Sequence, residues 1–208
     1  MSSAKSPGIN KENLKARFGA KVDQAMADSL KTKSDFWMNH SQSFWLVAEE
    51  LVACVKRDGK VLIFGNGGSA CDALHFAGEW VNRFRLDRKP LAAMALTADT
   101  PLITCIGNDF GFDHVFEKQV QAFARKADVV IGISTSGNSR NVILGLKAAQ
   151  DCGAKTIGLL GGSGGKIKEN LGVDFILNVD GSNDTPRIQE CHEWILHSLC
   201  EVVEAAVQ

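Results

Sequence analysis

His75 and Glu79 stand four residues apart in GNGGSACDALHFAGEW (65–80), a spacing that puts them one turn apart on a helix. An imidazole and a carboxylate so placed can pass a proton or hold a metal ion. Such a pair is also the ordinary form of a solvated helix salt bridge. Its position is the reason to read it as chemistry. It follows Gly65-Asn66-Gly67-Gly68, with Ser69 expected as the helix N-cap. A glycine turn that opens a helix aims backbone N–H groups and a positive helix end at one spot, which suits a phosphate. At about 1.5 Å per residue the pair lies ~9–15 Å further along, within one sugar's length of that anchor.

A second stretch, STSGNS (134–139), places the hydroxyls of Ser134, Thr135, Ser136 and Ser139 around Gly137 directly after an apolar run. Hydroxyls and N–H groups at a helix start can hold phosphate without a lysine or arginine, though Ser and Asn also serve as plain caps. A third, RIQECHEWILH (187–197), carries two histidines. Ile188, Cys191, Ile195, Leu199 and Val202 form its core stripe. At about 100° per residue His192 falls near that stripe and His197 opposite, toward the polar face. His192 reads as a packed histidine, and His197 as solvated or functional. Glu193, one turn before His197, could simply pair with it. No Gly-x-Gly-x-x-Gly precedes a long helix and no Gly-Lys-Ser/Thr occurs, so nucleotide binding is disfavoured.

The elements that must position these groups alternate. An apolar run, Val61–Phe64, opens a strand, and the helix after it carries Leu74, Ala77 and Val81 as its expected core stripe. Strands follow at Leu91–Leu96, Asp128–Ile133, Thr156–Leu160 and Phe175–Val179. Helices are expected at about His114–Arg125, Asn141–Cys152 and Thr185–Ala206, with a short one after GGSGG (161–165). Leu102–Gly107 leads into the His114 helix through GNDFGFD. This alternation predicts an α/β fold, a three-layer sandwich around a roughly five-stranded parallel sheet, with ligands beyond the strands' carboxyl ends. Residues 1–10 read as a loose tail. Two helices follow, about Lys11–Lys31 with Leu14, Phe18, Val22, Met26 and Leu30 on one stripe, and about Ser34–Arg57. Phe36, Trp37 and Trp45 exceed what one stripe needs, which points to a partner subunit.

Composition sets the bounds. Nearly half the residues are apolar and the net charge is −1, so one full-sized core is expected and bulk attraction to nucleic acid or anionic membrane is not. No apolar run is long enough for a transmembrane helix, and the polar N-terminus lacks a signal peptide's apolar core. Cysteines 54, 71, 105, 152, 191 and 200 are scattered without Cys-x-x-Cys, which reads as reduced, mostly buried thiols in a cytoplasmic protein.

GNGGSACDALHFAGEW, GNDFGFD, STSGNS and RIQECHEWILH, in this order and spacing, resemble the sugar isomerase (SIS) family, and within it the phosphoheptose isomerases, from about residue 35 to the C-terminus. The resemblance implies one SIS domain over 1–208, with 1–34 as tail and helix and 35–208 as the sugar-phosphate isomerase core. It implies a homotetramer with interface sites on a five-stranded parallel sheet. Asn66, Gly67, Gly68, Ser69, Asn108, Asp109, Ser134, Thr135, Ser136, Ser139 and Gln189 would bind substrate. His75, Glu79, Gln189 and His197 would hold zinc, with Glu79 and His197 also the acid–base pair. Sedoheptulose 7-phosphate would become D-glycero-D-manno-heptose 7-phosphate through an enediol, feeding heptose synthesis for lipopolysaccharide or another surface glycan. The sequence departs from the family at HFAGEW, where a second acidic residue is expected before Glu79, and at Pro186.

Gln189 and His197 are separated by about 12 Å of helix rise, so a shared ion needs either a strained site over the helix middle or ligands from two protomers. A carboxylate bound to zinc is also a poorer base, which sets Glu79's two implied roles against each other. A different class of reading stays open: a non-catalytic SIS protein similar to the one that associates with the replication initiator DnaA. An isomerase of another sugar phosphate is a further alternative.

Overall fold

Val61-Leu62-Ile63-Phe64 is apolar at every position because both faces of its strand are covered. Val61 and Ile63 join one buried cluster, Leu62 and Phe64 another. This β1 (Val61–Phe64) lies inside a sheet with β2 (Ala93–Ala95), β3 (Val129–Ser134), β4 (Lys155–Gly161) and β5 (Phe175–Val179), all parallel, in the order β2-β1-β3-β4-β5. The computed structural model describes residues 11–208, with side chains from Leu14 onward. The expected loose tail, 1–10, lies outside that range.

Helices α1 (Lys11–Lys56), α2 (Gly68–Val81) and α6 (Thr185–Ala206) supply the cluster on one face of the sheet. On the other are α3 (Thr100–Phe110), α4 (Val115–Phe123) and α5 (Arg140–Asp151). This is the expected three-layer α/β sandwich. Because β1 has β2 on one side and β3 on the other, the chain reverses its winding between β1 and β3. Ligands of such sheets sit at that switch point, beyond the strands' carboxyl ends.

Four local expectations are corrected. The two N-terminal helices are one, 46 residues long. No proline interrupts it, and around residue 34 the turns are tied by Lys31–Asp35, Thr32 to the Asp28 carbonyl and Lys33 to Ser29. On α2, Leu74 and Val81 are exposed, and the core face is Ala73, Phe76 and Trp80. Both sets fit a helical period, and the aromatic one buries more area. Ser69 caps nothing: α2 starts at Gly68 after Gly67 (φ +57°), without a side-chain cap. Ser69 is buried instead, so close to Gly65 that a Cβ there would clash with it. Leu102–Gly107 and the GND of GNDFGFD belong to α3, and α4 begins at Val115 after a short 3-10 turn.

The cysteines are all unpaired, and only half of them are buried. Burial pushes the thiol of Cys54 up to about 11 and those of Cys191 and Cys200 up to about 12, so these three stay protonated and inert. Cys71 and Cys105 are exposed. Among the described residues no helix is long and apolar enough to cross a membrane.

Candidate active site

The two glycine and hydroxyl loops leave adjacent strands at the switch point. Pairing of Phe64 with Gly132 brings Gly65–Gly68 beside Ser134–Ser139. Asn66 and Asn141 then lock them together, each amide donating to the other's oxygen at 2.8 and 2.9 Å. In STSGNS the Ser134 and Ser139 hydroxyls lie 3.1 Å apart. Gly137 (φ +65°) packs so tightly on the Gly164 carbonyl that no side chain fits. The GGSGG segment therefore buttresses this loop: the Ile167 N–H donates to the Gly137 carbonyl and the Lys166 N–H to the Asn138 side chain. Neither α2 nor α5 has a side-chain hydrogen bond capping its N-terminus. A hollow of about 150 Å³ lies over Gly65-Asn66-Gly67, walled by Thr97, Phe112 and Phe116. Asn108 and Asp109, exposed at the end of α3, hydrogen-bond each other.

Helices α2 and α6 run side by side in the same direction. Gln189 lies against Gly68 and Asp72, His197 against His75, and Glu204 against the segment that follows α2. The close approach at Gly68 uses its missing side chain, since a Cβ would strike the Gln189 amide. That amide donates to Asp72 Oδ1 at 3.1 Å. Asp72 is buried, and its Oδ2 has no partner. Burial, together with the nearby Glu193 carboxylate, pushes Asp72 up to about 6 against the downward pull of Gln189 and His75. Asp72, Gln189 and Glu193 line an open cleft of about 440 Å³, with Lys33 of α1 at its edge. This cleft shares no lining residue with the hollow over Gly65-Asn66-Gly67.

His75 and His197, on neighbouring helices, bring their Nε2 atoms to 2.8 Å. Glu193 Oε1 lies 3.2 Å from each of them. These three donors are mutually within 4.8 Å, close enough to share one metal ion. Two ligands on a tetrahedral ion at about 2.0–2.1 Å stand ~3.3 Å apart, so the residues present fit a divalent cation. Glu79 Oε1 is 3.5 Å from His75 Nε2 and outside that trio. Gln189 is engaged two helical turns from His197, at Asp72. His192 is fully buried and hydrogen-bonded to the Leu160 carbonyl through Nε2, as its place on the helix foretold.

Three site residues had no clear signal in the sequence. Asp72 sits among small residues of a helix, Asn141 looks like any polar residue in a helix start, and Glu193 looks like the i,i+4 partner of His197. Only the approach of α6 to α2 and of α5 to the Gly65 loop gives them roles.

The sequence profile of the SIS domain matches residues 26–161. The phosphoheptose isomerase of Aquifex aeolicus is 48% identical over 187 residues, 90% of this chain and 96% of that protein. That of Trichlorobacter lovleyi is 53% identical over 158 residues, 76% of this chain and 79% of its own. The structure of phosphoheptose isomerase GmhA from Neisseria gonorrhoeae superposes with a TM-score of 0.85 at 44% identity, covering 90% of this chain and 99% of that one.

Proposed function

Because the chain belongs to the SIS domain family, at about half identity to phosphoheptose isomerases along most of its length, we propose that it interconverts sedoheptulose 7-phosphate and D-glycero-D-manno-heptose 7-phosphate. One observation carries the chemistry: two uncapped helix N-termini and two hydroxyl- and glycine-rich loops meet at the switch point, with His75 and Glu79 about two and three turns further along α2. The loops, through Asn66–Ser69, Ser134–Ser136 and Ser139, hold the phosphate. Asn108, Asp109 and Gln189 are assigned to the sugar.

Glu79 takes a proton from C1 of the open-chain ketose as electron density moves toward the C2 oxygen, giving an enediolate. The same carboxyl returns a proton to C2 as the O1 hydroxyl proton is lost and the C1 aldehyde forms. His197 serves ring opening and the oxygen protons. A divalent ion, which we take as zinc, would be held around His75 and His197 with Glu79 and Gln189 the other family positions, and would supply polarisation of the carbonyl and hydroxyl oxygens. We further assign one SIS domain to the whole chain, a cytoplasmic homotetramer as its assembly, and surface-glycan heptose synthesis as its pathway.

NMR of the purified protein with sedoheptulose 7-phosphate in deuterated water tests this. Aldose formation, with deuterium at C2 or with shielded transfer, is expected. Glu79→Gln should lower turnover by at least about 10³-fold while the circular dichroism spectrum is unchanged. No turnover by the folded, zinc-supplemented wild type would sink the reading and favour the partner-binding SIS protein. Turnover of a different sugar phosphate alone would move the substrate.

A further inference from the structure

The last carbonyls of a helix lack partners inside it, and on α2 one of them belongs to Glu79. The Asn82 N–H satisfies only the Gly78 carbonyl. A side chain from beyond the helix meets the next two. Arg88 donates from Nη2 to the Glu79 carbonyl and from Nη1 to the Trp80 carbonyl, each at 3.0 Å. The Leu91 N–H also donates to Trp80, at 3.2 Å. On its other side the Arg88 Nε lies 3.1 Å from Glu204 Oε1 of α6, and the two side chains are only 6% and 2% exposed. A guanidinium is a rigid planar fork, so it holds its partners in fixed directions. This one ties the last turn of α2 to α6.

Glu79 and His197 stand on these two helices, and Glu204 is two turns beyond His197. At the other end of the same helix contact Gly68 lies against Gln189. A buried ion pair commonly gives no more stability than apolar side chains of equal volume, so stability alone does not account for this one. Its position does: it touches the main chain of the proposed base directly.

We propose that Arg88, anchored by Glu204, is a positioning residue for the proton transfer, setting the main chain at Glu79 and so the reach of its carboxylate. The inference rests on the proposed isomerase reading. It separates chemistry from binding, because Gly68 and the phosphate loops lie about 16 Å back along α2. A small displacement of Glu79 therefore lowers kcat and leaves KM nearly unchanged; about 1 Å at reacting groups can cost on the order of 10²-fold.

The test compares the full-length wild type with Arg88→Lys, which keeps the charge and loses the fork. Glu204→Gln, which keeps the anchor's shape and removes its charge, is a second variant should the first fail to fold. Both are assayed on sedoheptulose 7-phosphate with zinc, at a temperature where circular dichroism shows the protein folded. Each is expected to lower kcat at least about fivefold, with KM within about threefold of the wild type. Hydrogen–deuterium exchange read by mass spectrometry should quicken in the last turn of α2 and stay as it was in β3 and α5. A purely structural role would speed exchange throughout and leave the kcat of the folded fraction alone.

A kcat loss below fivefold in the folded variants would overturn the proposal. So would a loss carried mainly by KM, or unchanged exchange at the end of α2. A wild type without turnover of sedoheptulose 7-phosphate would refute the function itself, whereas an active wild type with active variants refutes the positioning role alone.

Discussion

His192 and His197 sit five residues apart on one helix in opposite electrostatic surroundings. His192 is fully buried, and burial pulls its pKa down to about 4 in spite of the hydrogen bond to the Leu160 carbonyl. In the unfolded chain a histidine titrates near its ordinary value, so between that value and about 4 the unfolded state holds more protons. The stability this neutral histidine permits is full above pH ~6.5 and is lost as pH falls toward the folded value. Between pH 7 and 5 urea denaturation should show about 2 kcal/mol of destabilisation in the wild type from this group. His192→Gln, which can keep the bond to Leu160, should flatten that part of the profile. A variant whose pH dependence matches the wild type would assign the acid sensitivity elsewhere. His197, on the wet face, is free to work with His75 and Glu193.

At the scale of elements, Glu204 near the end of α6 fixes the segment that follows α2. Its carboxylate accepts from the N–H groups of Phe84, Arg85 and Leu86 at 2.7 to 3.0 Å and faces the buried Arg88 guanidinium at 3.1 Å. Burial alone would raise its pKa, but the three N–H donors and the Arg88 charge outweigh it and hold the carboxylate ionised. The consequence reaches the site. Arg88 donates to the carbonyls of Glu79 and Trp80, and the Phe84 ring packs 5.5 Å from the His197 ring. Glu204→Ala should cost roughly 3–5 kcal/mol, because it strands a buried guanidinium and three backbone donors. Guanidinium denaturation measures this, and a loss under about 1 kcal/mol would mean that the segment is held by packing instead.

At the scale of the molecule, α1 runs past the body it covers. Burial begins only at Ser29; Leu14, Phe18, Val22, Met26 and Leu30 point one stripe of apolar side chains outward. An apolar stripe on a projecting helix needs a partner to cover it, and Trp37, Met38, Trp45 and Leu46 extend the exposed apolar surface along the same helix. The proposed self-association is the economical answer. Met26→Glu with Leu30→Glu should lower the mass seen by light scattering while leaving the secondary structure intact. An unchanged mass would take this stripe out of the assembly interface.

What the sequence determined by itself is local. Each strand and most helix spans follow from apolar period and turn residues; α6 begins and ends where Thr185 and Ala206 place it, and His192 and His197 sort to core and surface. The loop chemistry after β1 and β3 is equally plain, because glycines and hydroxyls act on their own backbone. The tertiary structure decided what depends on groups far apart in the chain. Strand order puts the two loops side by side so that Asn66 finds Asn141. Packing of the sheet chose the aromatic face of α2 over the Leu74 face, where periodicity allowed both. The contact of α2 with α6 turned Asp72 toward Gln189 and gathered His75, Glu193 and His197, since a helix stripe states which side chains share a face but not which face it meets.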